Sequence, residues 1–251
     1  MLSNKQIKYF KSLHTKKFRL ENKQFIIEGH RIIKQALKAN VKFDGVWFTE
    51  ECANKNNELI FSLSKANTVY KKTTEKSLSQ VCDSKNNQGV IALVTLPDNN
   101  TFDIKSSSIL ILDDISDPGN MGTILRSAEW FGIKNIILSS DCVDPYNSKV
   151  VRSAMGAHFY LNQIHQSDDL QKQISKLKDQ GLEIIGAELN GTSINKYTPT
   201  KKWALILGSE AHGISSQIKP LLDASITIPS SGNIDSLNVA IAAGIILNHL
   251  T

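Results

Sequence analysis

Short, purely apolar runs in the second half of the chain constrain the fold more strongly than any other feature of the sequence. They are ILIL at Ile109–Leu112, IIL at Ile136–Leu138 and ALIL at Ala204–Leu207. A strand with one face in water alternates polar and apolar residues, whereas a strand covered by helices on both faces is apolar throughout. Segments with helical spacing separate the runs. The second half therefore predicts an open α/β fold with a parallel sheet.

The first 96 residues predict a smaller α/β unit, in which Ser3 and Gln6 have the spacing of a capping box at the start of a helix. The expected strands are Phe25–Ile27, Val46–Phe48, Val69–Tyr70 and Val90–Leu96, and the expected helices are His30–Ala39, Glu58–Lys65 and Glu75–Val81. In the second half we expect strands at Ile109–Leu112, Asn135–Leu138, His158–Leu161, Glu183–Ala187, Trp203–Leu207 and Ser225–Ile228, and helices at Gly122–Phe131, Ser148–Met155, Asp168–Gln180 and Ser236–Leu250.

A segment rich in Pro, Asn, Asp and Ser, PDNNTFDIKSSS, separates the two halves. We therefore predict a first domain at residues 1–97, a linker at 98–108 and a second domain at 109–251. A length of 251 residues suits two modest domains.

The composition excludes several classes of protein. The hydrophobic and charged fractions, 41% and 21%, are those of a soluble globular chain. The longest apolar stretches are far shorter than the roughly 20 residues of a membrane span, and the first 13 residues lack the apolar core of a signal peptide. We therefore expect a cytoplasmic protein that does not contact a membrane.

Neither the cysteines nor the histidines predict a metal site. Cys52, Cys82 and Cys142 are widely spaced, with no C-x-x-C pair, and are interpreted as reduced thiols. The six histidines show no H-E-x-x-H spacing, which disfavours a metallohydrolase, and His212 is expected to be an exposed polar residue.

The positive charge is concentrated at the start of the chain. The first 42 residues hold 11 lysines and arginines against only Glu21 and Glu28, while the whole chain has a net charge of +5. Such a segment suits a surface that binds a polyanion, because each phosphate contact releases counterions. Charge alone is equally compatible with a solvated, lysine-rich surface.

Three loops follow the predicted strands at the edge where open parallel sheets bind ligands. The first contains N-x-G-x-x-x-R, the second G-x-E-x-x-G and the third S-L-N-V. Each also has an ordinary structural explanation. Asn120 could be a helix cap with Arg126 in solvent, the second loop could be a plain turn, and Ser236 could be the N-cap of the last helix. No nucleotide-binding glycine motif occurs at the first strand.

Taken together and in this order, the three motifs resemble those of the SpoU (TrmH-like) family of RNA ribose methyltransferases in the SPOUT superfamily. The resemblance is carried by Asn120, Gly122 and Arg126, by Gly208, Glu210 and Gly213, and by Ser236–Val239. A stretch between the first two motifs, KVVRSAMGA, is also similar to the family. The first half is similar to the substrate-binding domain of many members, which resembles an RNA-binding ribosomal protein. Its most recognisable residues are Glu28 and Gly29.

The resemblance implies a second domain with a deep trefoil knot, an exception to the rule that connections do not thread loops. It implies S-adenosylmethionine (SAM) as the cofactor and a homodimer with the knot near the shared interface. The cofactor-binding residues it implies are Leu207, Gly208, Gly213, Ile228 and Leu237.

The same resemblance implies that the ribose 2′-hydroxyl of a structured RNA accepts the methyl group. The family's arginine is Arg126, whose pKa above about 12 makes it a poor free base. A clamp on the phosphate beside the target ribose suits it better, with Asn120, Glu210, Ser236 and Asn238 fixing Arg126 and the sugar.

Two departures from the family pattern and the choice of RNA stay open. Ala240 replaces a frequent serine, and Asn248–His249 replaces a frequent aromatic residue near the end of the last helix. Ribosomal RNA of the large subunit (23S rRNA) is the favoured substrate. The alternatives are a tRNA 2′-O-methyltransferase and a non-catalytic RNA-binding relative.

Overall fold

The computed structural model describes residues 2–66, 68–84, 87–97, 108–200 and 202–251. Its strands are β1 (Gln24–Glu28), β2 (Phe43–Phe48), β3 (Tyr70–Lys72), β4 (Val90–Thr95), β5 (Ile109–Leu112), β6 (Asn135–Leu138), β7 (Gln163–Gln166), β8 (Glu183–Ser193), β9 (Trp203–Leu207) and β10 (Ala224–Thr227). Its α-helices are α1 (Asn4–Ser12), α2 (Lys16–Asn22), α3 (His30–Lys38), α4 (Glu50–Lys55), α5 (Asn57–Lys65), α6 (Glu75–Ser79), α7 (Pro118–Trp130), α8 (Ser148–Ala154), α9 (Leu170–Asp179) and α10 (Val239–Leu250).

The chain divides into two compact units. The first comprises Met1–Asp98 and Asp144–Phe159, and the second comprises Asn99–Val143 and Tyr160–Thr251. The predicted linker at 98–108 lies outside the described residues except for Ser108.

The first unit is built on a mixed sheet with the strand order β1-β4-β2-β3. β4 runs antiparallel to β1 and β2, while β2 and β3 are parallel. Alternate residues enter two apolar clusters: Phe25 and Ile27 belong to one, and Ile26 belongs to the other. The capping box predicted for α1 is present, with Ser3 Oγ accepting from the Gln6 backbone N–H.

Residues 144–159 join the first unit, although the sequence partition assigned them to the second domain. The Tyr146 ring lies 5.1 Å from the Phe25 ring, and Val151 is buried in the same cluster. Asp144 forms an ion pair with the buried Arg19. The predicted domain boundaries assumed that each domain is one continuous stretch of the chain. These contacts join positions more than 100 residues apart, and a local sequence pattern does not reveal them.

The second unit contains the predicted parallel sheet. Its six strands are all parallel, in the order β10-β8-β9-β5-β6-β7. β5, β6 and β9 are buried along their whole length, as their apolar sequences predict. This part of the fold class is confirmed.

Several element boundaries differ from the prediction for local reasons. The strand expected at His158–Leu161 is wrong. Residues Ala157–Phe159 form a 3-10 turn instead, in which the buried His158 ring contacts the Pro145 carbonyl oxygen, and the strand begins at Gln163. Two short helices, α2 and α4, were not predicted. β8 is longer than expected, because it continues to Ser193 instead of ending at Ala187. Glycine at position 191 permits the close approach of β10, since a Cβ there would lie 2.6 Å from backbone atoms of Ser225 and Ile226.

Within the described residues, no helix combines the length and apolar character needed to cross a membrane. The same residues contain no group of three or more side chains placed to hold a metal ion.

Candidate active site

The loops after β5 and β9 meet at one edge of the parallel sheet. Leu112 and Leu207, the last residues of these strands, are partners in register. The backbone N–H of Asp113 continues the pairing and donates to the Leu207 carbonyl at 2.9 Å. Since both strands end at this edge, the first and second motifs leave the sheet side by side.

One residue from each of the three motifs joins a single hydrogen-bonded cluster. Asn120 Nδ2 donates to Glu210 Oε1 at 2.9 Å. Asn238 Nδ2 lies 2.8 Å from the same oxygen and 3.0 Å from Asn120 Oδ1. The backbone N–H of Val239 also points to Glu210 Oε1, at 3.4 Å. Glu210 is therefore the acceptor around which the Asn120–Glu210–Asn238 cluster is organised.

The local sequence of α7 places Asn120 in this cluster. Asp117 is the N-cap, and its Oδ1 accepts from the Asn120 backbone N–H at 2.7 Å. Pro118 follows at the start of the helix, where its missing N–H costs nothing. The alternative in which Asn120 caps the helix is wrong, and its side chain is free to contact Glu210.

The loop after β9 is closed by its own backbone. Ser209 and Gly213 exchange two backbone hydrogen bonds of 2.8 and 3.1 Å. A Cβ at Gly208 would lie 2.1 Å from the Gly213 carbonyl carbon, so only glycine fits there. Gly213 has a φ of 67°, which other residues rarely adopt. The plain-turn explanation is therefore incomplete, because this closed turn presents Glu210.

The start of α10 also differs from the alternative considered for Ser236. The helix begins at Val239, and Asn238 is its N-cap, with Oδ1 accepting from Ala240 and Ile241 at 3.0 and 3.3 Å. Ser236 is exposed and lies outside the helix. Asn238 thus uses its oxygen for the helix and its amide nitrogen for Glu210.

Arg126 lies apart from the cluster in this chain. It is exposed on α7, and the described residues offer its guanidinium no hydrogen bond or ion pair. The structure therefore brings together Asn120, Glu210 and Asn238, and leaves Arg126 and Ser236 open to solvent.

A cavity of about 270 Å³ lies beside the cluster. It is lined by Asp114–Asp117, Asn120, Ser209–His212 and Val239. None of the five predicted cofactor-binding residues lines it. Leu207 is buried at the end of β9, Ile228 is half-buried and Leu237 is exposed.

Two residues that position the loop after β5 were not singled out from the sequence. The buried Asp113 carboxylate accepts from the Ser215 N–H at 2.8 Å and ties this loop to the chain after β9. The Cys142 thiol donates to the Leu112 carbonyl and accepts from the Ile115 N–H, both at 3.3 Å. Burial raises the pKa of Cys142, which keeps the thiol protonated as this donation requires. The position of Asp113 directly after a buried strand was the available signal.

Comparison with known proteins identifies the family. The family model described as the SpoU rRNA Methylase family matches residues 107–248, and one described as an MRM3-like substrate binding domain matches residues 4–92. The chain belongs to the SpoU rRNA methylase family. It is 30% identical over 248 residues to the 23S rRNA (guanosine(2553)-2'-O)-methyltransferase RlmP of Bacillus subtilis, covering 98% of this chain and 96% of that protein.

Two solved structures resemble this chain over nearly its whole length. A TrmH-family protein from Porphyromonas gingivalis is 30% identical with a TM-score of 0.86, covering 99% of this chain and 98% of that one. An AdoMet-bound rRNA methyltransferase from Sinorhizobium meliloti is 25% identical with a TM-score of 0.83, covering 99% and 95%. All three motifs lie within residues 107–248, which the SpoU rRNA Methylase model matches.

Proposed function

We propose that this SpoU-family protein transfers a methyl group from SAM to a ribose 2′-hydroxyl of 23S rRNA. The observation that carries the proposal is the Asn120–Glu210–Asn238 cluster, in which all three family motifs converge on one carboxylate oxygen. A protein that only bound RNA would have no need for this arrangement, so the cluster favours an enzyme over a non-catalytic relative.

The segment before α10 suits a cofactor held by backbone groups. Residues 229–238 are all exposed, and the backbone N–H groups of Ile234 and Leu237 make no hydrogen bond to described residues. Leu237 and Ile234 are 41% and 70% exposed, which offers apolar surface beside free polar backbone. Gly208, Gly213 and Ile228, with Leu207 and Leu237, are the residues we assign to SAM.

SAM supplies a methyl group made electrophilic by its sulfonium. The protein must hold the ribose oxygen in line with that carbon, at roughly 3–3.5 Å, and assist loss of the hydroxyl proton. Arg126 suits a bidentate clamp on the neighbouring phosphate, because its guanidinium is exposed and has no partner among the described residues. We assign Asn120, Glu210, Ser236 and Asn238 to fixing the clamp and the sugar when RNA is bound; in this structure Arg126 makes no hydrogen bond to any of them.

The choice of 23S rRNA rests on a relative, whereas the basic charge supports binding to RNA in general. RlmP, a relative over 98% of this chain, acts on 23S rRNA according to its name. The residues between Lys5 and Lys42 hold 11 basic side chains, and Lys5, Lys8 and Lys11 lie on exposed positions of α1. A tRNA substrate is the alternative, since a Synechocystis relative of 32% identity is named a tRNA/rRNA methyltransferase.

The proposal includes a trefoil knot and a homodimer. The chain end returns to the first motif, where Asn238 contacts Asn120 and α10 packs against α7. The knot itself is taken from the family resemblance. Both helices expose apolar side chains, with Trp130 80%, Ile241 56% and Ile245 39% exposed. Ile241 and Ile245 are one helical turn apart and form one stripe, which suits an interface between two copies.

Transfer of labelled methyl from SAM to total RNA tests the function. We expect label as 2′-O-methyl nucleoside in 23S rRNA with the wild type, and a loss of at least 100-fold with Arg126→Ala. Arg126→Lys keeps the charge but not the bidentate geometry, so near-normal turnover of that variant would contradict the clamp. SAM binding without transfer to any RNA would favour the non-catalytic relative, and label in tRNA would favour the alternative substrate.

A further inference from the structure

A single residue at the end of β5 holds both ends of the loop after β9. The backbone N–H of Asp113 donates to the Leu207 carbonyl at 2.9 Å, where that loop begins. The Asp113 carboxylate accepts from the Ser215 N–H at 2.8 Å, where the same loop ends. Residues 208–214 lie between these two contacts and contain the whole G-x-E-x-x-G motif. The motif is therefore bracketed by two hydrogen bonds to one residue.

The burial of Asp113 makes its carboxylate contact a strong one. The residue is 5% exposed, so its carboxylate has lost most of its contact with water. A hydrogen bond to a charged acceptor in such a place is stronger than one between neutral groups in water. Among the described residues, the Ser215 N–H is the one hydrogen-bond donor to this carboxylate. Loss of either group would leave the other unsatisfied in the interior.

The turn between the two ends is closed on itself but is weakly attached to the sheet. Ser209 and Gly213 exchange two backbone hydrogen bonds, and the His212 N–H donates to Ser209 Oγ at 3.2 Å. Residues 210–213 are exposed. Ile214 is buried and keeps the turn near the sheet, but an apolar contact is not directional. The hydrogen bonds to Asp113 are therefore the contacts that set the orientation of the turn on the sheet.

We propose that Asp113 is a positioning residue for the cofactor. It orients the turn from Gly208 to Gly213, and with it the backbone groups assigned to SAM and the carboxylate of Glu210. Asp113 acts through this turn and needs no contact with SAM itself. The assignment of Gly208 and Gly213 to SAM rests on the proposed function.

Binding of S-adenosylhomocysteine (SAH), the product left when SAM gives up its methyl group, tests the role without RNA. By calorimetry on the full chain we expect Asp113→Ala to bind SAH about 5- to 20-fold more weakly, because a turn released at one end must be ordered on binding. Asp113→Asn keeps an oxygen that can accept from Ser215, so it should bind within about threefold of wild type. Wild-type affinity in Asp113→Ala, or no rescue by asparagine, would overturn the proposal.

Asp223→Ala is the matched control, at the edge where the strands begin. The Asp223 N–H donates to the Ile184 carbonyl at 2.8 Å, and the Asp223 carboxylate accepts from the Ile184 N–H at 2.9 Å. Asp223 also forms an ion pair with Lys178. We expect this variant to melt about 2–4 °C lower than wild type but to bind SAH equally well. An equal loss of SAH affinity in both alanine variants would point to general destabilisation and contradict a specific role of Asp113.

Hydrogen exchange followed by mass spectrometry locates the effect within the chain. Without ligand, Asp113→Ala should exchange faster than wild type in the peptide that contains residues 208–215, while the peptide that contains β9 is unchanged. Faster exchange throughout the sheet, or unchanged exchange in residues 208–215, would count against control of the turn by Asp113.

Methyl transfer separates this inference from the proposed function. Asp113→Ala should raise KM for SAM and lower kcat, because Glu210 moves with the turn, and should leave KM for RNA unchanged. If the wild type methylates RNA and Asp113→Ala binds SAH as tightly as wild type, the inference on Asp113 fails alone. If SAH binding depends on Asp113 but the wild type methylates no RNA, the proposed function fails and the role of Asp113 remains.

Discussion

The ring of His158 is buried in the first unit, and its environment determines its charge. Nε2 lies 2.7 Å from the Pro145 carbonyl oxygen, which can only accept, so Nε2 carries the proton. Nδ1 is buried without a hydrogen-bond partner. Burial lowers the pKa of His158 to about 4, because the charged ring would lose its hydration.

This shift predicts that acid weakens the fold. Between pH 6.5 and 4 the unfolded chain binds a proton at His158 that the folded chain does not. The free energy of unfolding therefore falls as the pH is lowered through this window, by up to about 3 kcal/mol, and the full contribution is present above pH 6.5. Urea denaturation of wild type and His158→Gln at pH 7 and pH 4.5 measures it. Glutamine can still donate to Pro145 without titrating, so parallel pH profiles of the two proteins would contradict the prediction.

At the scale of single elements, α10 shows how one residue serves both stability and the site. The oxygen of Asn238 caps the helix, while its amide nitrogen donates to Glu210. The helix is apolar and packs against α7, so its start fixes the third motif beside the first. Substitutions of Asn238 can therefore separate its contribution to helix capping from its contact with Glu210.

Asn238→Ala should lower the free energy of unfolding by about 1 kcal/mol, whereas Asn238→Ser, which can still cap, should lower it by a few tenths. Both variants lose the donor to Glu210, so both should lose about 10- to 100-fold in kcat. Thermal unfolding and methyl transfer are measured together. Asn147→Ser, at the N-cap of α8, is the matched control and should keep full activity. A fully active Asn238→Ser would show that the Glu210 contact is not needed.

At the scale of the whole molecule, two units of different architecture are interleaved along the chain. Residues 144–159 leave the parallel sheet after β6 and contribute Tyr146 and Val151 to the core of the first unit. The first unit is therefore incomplete without a segment from the second half of the sequence.

The exposed apolar stripe on α10 predicts the oligomeric state. Ile241→Glu would place a charge in an apolar interface, so we expect the wild type to be a dimer and this variant a monomer at micromolar concentration. Size-exclusion chromatography with light scattering measures both. Phe61→Glu is the matched control, because Phe61 is similarly exposed, at 61% against 56% for Ile241, but lies on α5 of the first unit. A monomeric wild type, or a dimeric Ile241→Glu, would contradict the proposed interface.

The sequence by itself determined the parallel sheet, the capping of α1 and the family motifs. Runs such as Ile109–Leu112 predict their strands because burial on both faces removes polar residues from the pattern. Ser3 and Gln6 are neighbours along the chain, so their contact follows from spacing. The motifs identified Asn120, Glu210 and Asn238 by residue type and order.

Only the tertiary structure decided how those residues meet. Asn238 is 118 residues from Asn120 and shares one carboxylate oxygen with it, a convergence that no local pattern encodes. It also decided that Asp117 and Asn238 cap α7 and α10, and that residues 144–159 belong to the first unit. The physical reason is the same in each case. Hydrogen bonds and apolar contacts between distant segments form only when the folded chain brings those segments together. A sequence pattern reflects only the local requirements of residues that are close along the chain.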